Sequence, residues 1–140
     1  MPEARGPREV FERFRRNVVA GLGGLTGDMC AEDVVVEQPF APVAAARRVA
    51  GRAEFTAFAQ ATRAALPVAF ERCDALAVHD TRDPGTIVVE YEMAGTVTTT
   101  GTCASATFVL VLTVRDGLVV RWREYQDTAA VARALGAGAS

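Results

Sequence analysis

The chain has 140 residues, 50% of them apolar and 23% charged, proportions that fit one globular domain and leave room for a real core. Its formal charge is −2, so no global field draws it to nucleic acid or to an anionic membrane. No apolar run is long enough to span a bilayer.

Pro7 stands where a first helical turn tolerates proline, and Val10, Phe11, Phe14 and Val18 then recur at helical spacing, predicting an amphipathic helix over 7–20. Gly21, Gly23, Gly24 and Gly27 crowd the next stretch, leaving only a weak helix over 25–31. The β-branched run 33–38 is a short strand stopped by Pro39. Residues 39–51, with two prolines and a closing glycine, form a loop. Phe55, Phe58, Ala59, Thr62 and Leu66 mark a second helix over 52–66.

After Pro67 the period becomes that of strands: 68–80, 86–98, 102–115 and 118–126, separated by turn chemistry at Asp83-Pro84-Gly85, Thr100-Gly101 and Asp116-Gly117. Short turns between successive strands imply an antiparallel meander. Helices before strands imply an α+β fold with the helices on one face of the sheet. Residues 128–135 form a short closing helix, which Asp127 would cap. With no repeat or linker in between, residues 1–140 are expected to be one domain.

Cys30, Cys73 and Cys103 are far apart, no CxxC pair exists, and His79 is the one histidine. Neither a metal site nor a disulfide framework is indicated; three reduced, mostly packed thiols in a cytosol are expected. The charged, proline-bearing stretch 1–12 has no apolar segment of the kind a signal peptide needs, so a cytoplasmic location is expected.

The order of elements, the segment Ala31-Glu32-Asp33 followed by VVVEQPFAP, and the ending DGLVVRWREYQD together resemble the nuclear transport factor 2-like superfamily. The similar branches are the SnoaL-like polyketide cyclases, the ketosteroid isomerases and the limonene-epoxide-hydrolase type. The resemblance covers almost the whole chain. It implies helices packed on a strongly curved antiparallel sheet that forms a cone around one apolar pocket. The superfamily is functionally mixed, so the fold alone transfers little chemistry.

Against the ketosteroid isomerases, the aspartate base falls on Gln38, the tyrosine donor on Phe14, and the second oxyanion donor near Val109 or Leu110. An amide is no base at neutral pH and phenylalanine donates nothing, so the resemblance implies that steroid isomerisation is absent. Against the epoxide hydrolases, the ending Trp122-Arg123-Glu124-Tyr125-Gln126-Asp127 puts their catalytic acid at Glu124. Their second aspartate falls on Met93, their arginine on Tyr91, and their water-holding residues on Gln38 and Val36. One of two carboxylates therefore remains.

Side chains on a strand alternate faces. If Glu124 faces the pocket, so do Trp122 and Val120, while Arg121, Arg123 and Tyr125 face away. Ala106, Phe108, Leu110 and Leu112 share the inner face, joined by Tyr91 and Met93 and by Phe14 and Phe58 from the helices. Such a cavity is aromatic and apolar, with Glu124, Gln38 and Tyr91 as its few polar groups, the usual composition of a ligand pocket. A carboxyl there is disfavoured as the anion, so its pKa rises toward neutrality and it becomes a usable proton donor or acceptor. The alternative for Glu124 is a structural ion pair or a helix cap. His79, beside Asp80 at a strand end, is either an acid/base partner or a solvated surface residue. Arg47-Arg48 either greet an anion or are solvated, and the threonines from 96 to 102 fit an exposed hairpin.

These residues predict a small cofactor-independent enzyme of bacterial specialised metabolism, a composition with arginine as its only strongly basic residue suggesting a GC-rich genome. It would be a cyclase, isomerase or epoxide-opening catalyst for a hydrophobic polyketide-like molecule. Glu124, Gln38 and Tyr91 would be catalytic; Phe14, Phe58, Met93, Phe108, Leu110 and Trp122 would bind substrate; neither metal nor cofactor is called for. The alternative is a non-catalytic binding or dimerisation module of the same fold. The outer face, with Val109, Val111, Arg121, Arg123 and Tyr125, is expected to pair two copies into a homodimer.

Overall fold

The computed structural model describes residues 5–136. Helix α1 (Pro7–Val19) leads through a 3-10 turn at Gly27–Met29 into strand β1 (Cys30–Glu37). A second 3-10 turn, Ala44–Ala46, precedes the short strand β2 (Arg48–Ala50) and helix α2 (Arg52–Ala65). Strands β3 (Val68–Asp80), β4 (Thr86–Val97), β5 (Cys103–Arg115) and β6 (Leu118–Gln126) follow, and α3 (Thr128–Ala134) closes the chain.

The six strands form one sheet in the order β2-β1-β6-β5-β4-β3. The expected α+β class and meander are present, but the sheet is mixed rather than wholly antiparallel, because β1 runs parallel to β6. That pairing joins segments separated by most of the domain, and a parallel partner needs a long crossover that local turn chemistry never announces. Two further expectations change. The weak helix over 25–31 is only the 3-10 turn, since β1 begins at Cys30; four glycines leave a longer helix without support. The loop 39–51 contains β2, which pairs Val35, Val36 and Glu37 with Ala50, Val49 and Arg48.

The turns form where their residues demand them. Asp116 (φ 52°) and Gly117 (φ 78°) both adopt the left-handed conformation, as a tight two-residue hairpin requires. At the β3–β4 turn, Asp83 Oδ1 accepts from the Gly85 N–H at 2.9 Å and its carboxylate pairs with Arg115 at 2.5 Å. The Arg115 guanidinium leads the groups that hold the Asp83 carboxyl down at about 2.

The pleat is interrupted by register shifts between Phe70 and Arg72, between Ala75 and Ala77, and between Thr113 and Val114. Such bulges bend a strand and increase its twist. Gly95 sits opposite the first of them, where a Cβ would lie 2.3 Å from the Ala69 carbonyl oxygen; only glycine admits that approach.

Helix α1 lies across the inner face, chiefly on β3, burying Val10, Phe11, Phe14 and Val18 against Val89, Tyr91, Leu110 and Leu112. Helix α2 sits over β1 and β2 and is shallower than its pattern predicts: Phe55 is buried, Phe58 and Ala59 are half-buried, and Thr62 is exposed. Asp127 caps α3, its Oδ1 accepting from the Ala130 N–H at 3.0 Å.

Candidate active site on the inner face of the sheet

The β5–β6 register sets Glu124 opposite Leu110, Trp122 opposite Leu112, and Gln126 opposite Phe108. These pairs share the inner face, where Leu110, Leu112, Phe108 and Trp122 are all buried. Val120, expected there too, is displaced by the bulge between Thr113 and Val114, and Val119 takes the buried place instead. On β4, Tyr91 is fully buried and pairs with Phe108, while Met93 pairs with Ala106. On β1, Val34 and Val36 point inward. Gln38 continues their parity one residue beyond the last paired position, Glu37 with Arg123.

The aromatic side chains pack on one another. Tyr91 stacks on Phe108 with ring centroids 5.1 Å apart and meets Phe11 and Phe14 edge-on at 5.4 and 5.6 Å. Phe14 lies 4.8 Å from Trp122. Offset and edge-on pairs of this kind add to the stabilisation from burial. What stays partly open on the inner face is a strip of half-buried residues: Gln38, Phe58, Met93, Ala106, Glu124 and Gln126. The expected wall residues Phe14, Phe108, Leu110 and Trp122 are therefore brought together, but mainly as one another's neighbours.

Glu124 lies where this strip meets the rings. Solvent still reaches part of its side chain, which is half-buried among the inner-face residues. Desolvation raises its pKa above the ordinary carboxylate range; hydrogen bonding to Tyr91 and Trp122 pulls it partly back. The Tyr91 hydroxyl donates to Glu124 Oε2, and burial, followed by the nearby carboxylate, pushes the Tyr91 phenol well above its usual value. Tyr91 is thus engaged with the acid, not free to face an incoming oxygen.

No arginine is among the groups that perturb Glu124. Those of β6 face the other way: Arg123 binds Glu37 at 3.1 Å on the outer face, with Arg121 4.0 Å from the same oxygen. The ion-pair alternative for Glu124 therefore finds no partner among the described residues, and the cap of α3 is Asp127.

Other expected residues lie elsewhere. His79 is exposed on the outer face, 2.7 Å from Glu90, three strands across the sheet from Glu124 and on the opposite side. Arg47 is tied back to the Ala41 carbonyl oxygen at 2.9 Å. Cys30 and Cys73 are buried, and desolvation pushes both thiols up to about 12, so they are inert; Cys103 is exposed. Among the described residues no cluster has the makings of a metal site. No described helix is long and apolar enough to cross a membrane. A groove of ≈ 400 Å³ between the β4–β5 hairpin and α3, lined in part by Thr99, Thr102, Ser105 and Arg133, is separate from Glu124.

Three helices on an open, bulged six-stranded mixed sheet are the architecture of the cone-shaped nuclear transport factor 2-like class. Residues 8–122 match the family model of the SnoaL-like domain, and the chain belongs to that family. It is similar to protein YesE of Bacillus subtilis (strain 168), 28% identical over 105 residues, covering 75% of this chain and 70% of YesE. Among solved structures, a candidate isomerase from Bacillus subtilis superposes with a TM-score of 0.81 at 24% identity, over 93% of this chain and 92% of that one. The Δ5-3-ketosteroid isomerase from Mycobacterium sp. gives 0.69 at 23% identity, over 89% and 95%. Likeness at these identities establishes the shared fold.

Proposed function

We propose that the chain is a cofactor-independent acid/base catalyst, a cyclase, isomerase or epoxide-opening enzyme of bacterial specialised metabolism, acting on a hydrophobic polyketide-like molecule. One observation carries this reading. Glu124 is a half-buried inner-face carboxyl with a raised pKa, held by the Tyr91 hydroxyl and without a cationic partner among the described residues. A carboxyl raised above its ordinary range is better matched to proton exchange than an exposed one. Glu124 transfers the proton, Tyr91 positions it from behind, and Gln38 orients a substrate oxygen. Phe58, Met93 and the edges of Phe14, Phe108, Leu110 and Trp122 shape the apolar wall. The enzyme works in the cytosol as a homodimer joined through the outer sheet face, where Phe40, 62% exposed, meets Tyr125 ring to ring.

The test is deuterium incorporation from D2O, or product formation, across a panel of hydrophobic ketones and epoxides. Glu124→Gln keeps the shape and most hydrogen bonding but cannot exchange the proton. Turnover falls by about 10²–10⁴-fold with ligand affinity little changed, and stability holds or rises because an amide is cheaper to bury than a carboxylate. Unchanged activity per folded molecule together with a large fall in melting temperature refutes the catalytic role. The rival reading, a binding or dimerisation module, is favoured by the mutual packing of the inner rings, and it expects binding without proton exchange.

A further inference from the structure

Strand β5 outruns β6. The β5–β6 ladder ends at Phe108 and Gln126, whereas β4 accompanies β5 back to Cys103, opposite Thr96. Residues 103–107 therefore present a free strand edge on the β6 side. The phase of the ladder fixes which groups face it. The Val97 N–H donates to the Thr102 carbonyl oxygen, so the even-numbered residues of this stretch bond to β4 and the odd-numbered ones aim at the free edge. The Thr107 carbonyl oxygen accepts from the Asp127 N–H at 3.1 Å, the last such bond before the chain turns into α3. The N–H and C=O groups of Cys103 and Ser105, about 6.5–7 Å apart, continue the same line without a backbone partner among the described residues. Exposed strand edges are normally blunted by shortness, bulges or charge, and the other two edges of this sheet are. Strand β2 has three residues, while β3 carries two bulges and its Cys73 carbonyl oxygen accepts from Arg15 Nε at 2.6 Å. The stretch Cys103-Ala104-Ser105-Ala106-Thr107 has no charge, proline or bulge. It borders the groove of ≈ 400 Å³ whose opposite wall is α3, with Ala130, Ala134 and Arg133, the one charged residue that lines it.

We propose that this groove takes an extended peptide of small residues ending in a free carboxylate, added as a short strand along Cys103–Ser105. The peptide continues the direction of β6 and so runs antiparallel to β5. Its carboxylate then points toward the β4–β5 hairpin, where the Thr99 and Thr102 hydroxyls and the Arg133 guanidinium line the groove. Main-chain bonds to Cys103 and Ser105 supply the affinity of such strand addition, and the wall beside them supplies the selection. Alanines at 104, 130 and 134 leave room for an added backbone with small side chains, and no acid among the lining residues opposes the carboxylate. The site is separate from Glu124 and rests on no chemistry there.

N-acetyl-trialanine, titrated against the full chain and followed by backbone amide NMR, tests it. The Cys103 and Ser105 amides are expected to shift and to gain protection from hydrogen exchange, while those around Glu124 stay in place. The C-terminal amide of the same peptide is expected to bind about twofold to fivefold more weakly, a gap that Arg133→Gln closes. Ser105→Pro deletes a donor that faces the free edge, at the kind of position where strands accept proline, and lowers affinity about threefold to tenfold. Should that variant fail to fold, peptides N-methylated on the second or on the third alanine take its place. Neighbouring N–H groups of a strand point to opposite sides, so at least one of the two loses the same factor. Methylated peptides that both bind like the parent, or full affinity in Ser105→Pro, overturn strand addition. Equal affinity of acid and amide for the wild type overturns the role of Arg133. No response at Cys103 or Ser105 in folded protein overturns the site itself. A Ser105→Pro variant that changes the oligomeric mass but not peptide binding shows the edge pairing two copies, and overturns the peptide as its occupant.

Discussion

Replacing Tyr91 with phenylalanine isolates the hydrogen bond on which the proposed state of Glu124 depends. The ring is fully buried between Phe108 at 5.1 Å, Phe11 at 5.4 Å and Phe14 at 5.6 Å, so Tyr91→Phe keeps its packing and deletes only the hydroxyl. That hydroxyl favours the Glu124 anion, opposing the desolvation that disfavours it. A hydrogen bond to a charged group is worth ~1.5–3 kcal/mol, so its loss raises the Glu124 pKa further. The sign for stability follows from linkage. A carboxyl whose folded pKa is raised above its unfolded value binds more protons in the native state, so stability falls as pH climbs from the unfolded toward the folded pKa. In Tyr91→Phe the fall continues to higher pH and ends deeper by the same ~1.5–3 kcal/mol, less whatever a water recovers in the vacated space. Carboxyl-13C NMR of labelled glutamate reads the pKa directly, and urea unfolding across the acid-to-neutral range reads the stability. A Glu124 pKa that stays put or drops in Tyr91→Phe refutes the reasoning, because the hydroxyl would then not be holding the anion.

The remaining expectations test other parts of the structure. Gly24 has φ +86° and a Cβ there would lie 2.7 Å from the Phe14 ring, so Gly24→Ala should cost about 1–3 kcal/mol in unfolding free energy and shift the single-tryptophan fluorescence as Phe14 moves against Trp122. A destabilisation below half a kcal/mol would show that the loop relaxes freely. Leu110, fully buried, should cost ~2–5 kcal/mol as alanine, measured by the same unfolding curves. Light scattering should give a dimer mass at micromolar concentration, reduced to a monomer by Tyr125→Glu; a monomeric wild type refutes the outer-face interface. A Δ5-3-ketosteroid should not be isomerised if, as the resemblance implies, Gln38 and Phe14 stand where those enzymes carry a base and a donor; robust turnover by repurified protein would overturn that residue matching.

Much of this architecture is written in local pattern. Strands β3 and β6 begin and end where alternation and turn residues place them, and α1 buries the four side chains its spacing picks out. The inner set on β4 and β5 follows from parity alone, because a two-residue period leaves no other choice once one face is covered. Two features break that logic for physical reasons. The bulge between Thr113 and Val114 changes parity by one residue, so Val119 rather than Val120 is buried, and nothing in the run Leu118-Val119-Val120 distinguishes the two. The parallel pairing of β1 with β6 is a contact between distant segments, legible only from the assembled sheet. Yet it is this pairing that brings Gln38 to the Glu124 end of β6 and sends Glu37 to the arginines outside. That pairing divides the charges: within the aligned β1 and β6 the cations and their carboxylate partner go to one face, and the carboxyl without a cation goes to the other. A one-residue slip of β1 would exchange Glu37 for Gln38, neutralise nothing on the outer face, and place two carboxylates together on the inner one. The register that builds the fold is therefore the same constraint that leaves Glu124 without a cation on the inner face.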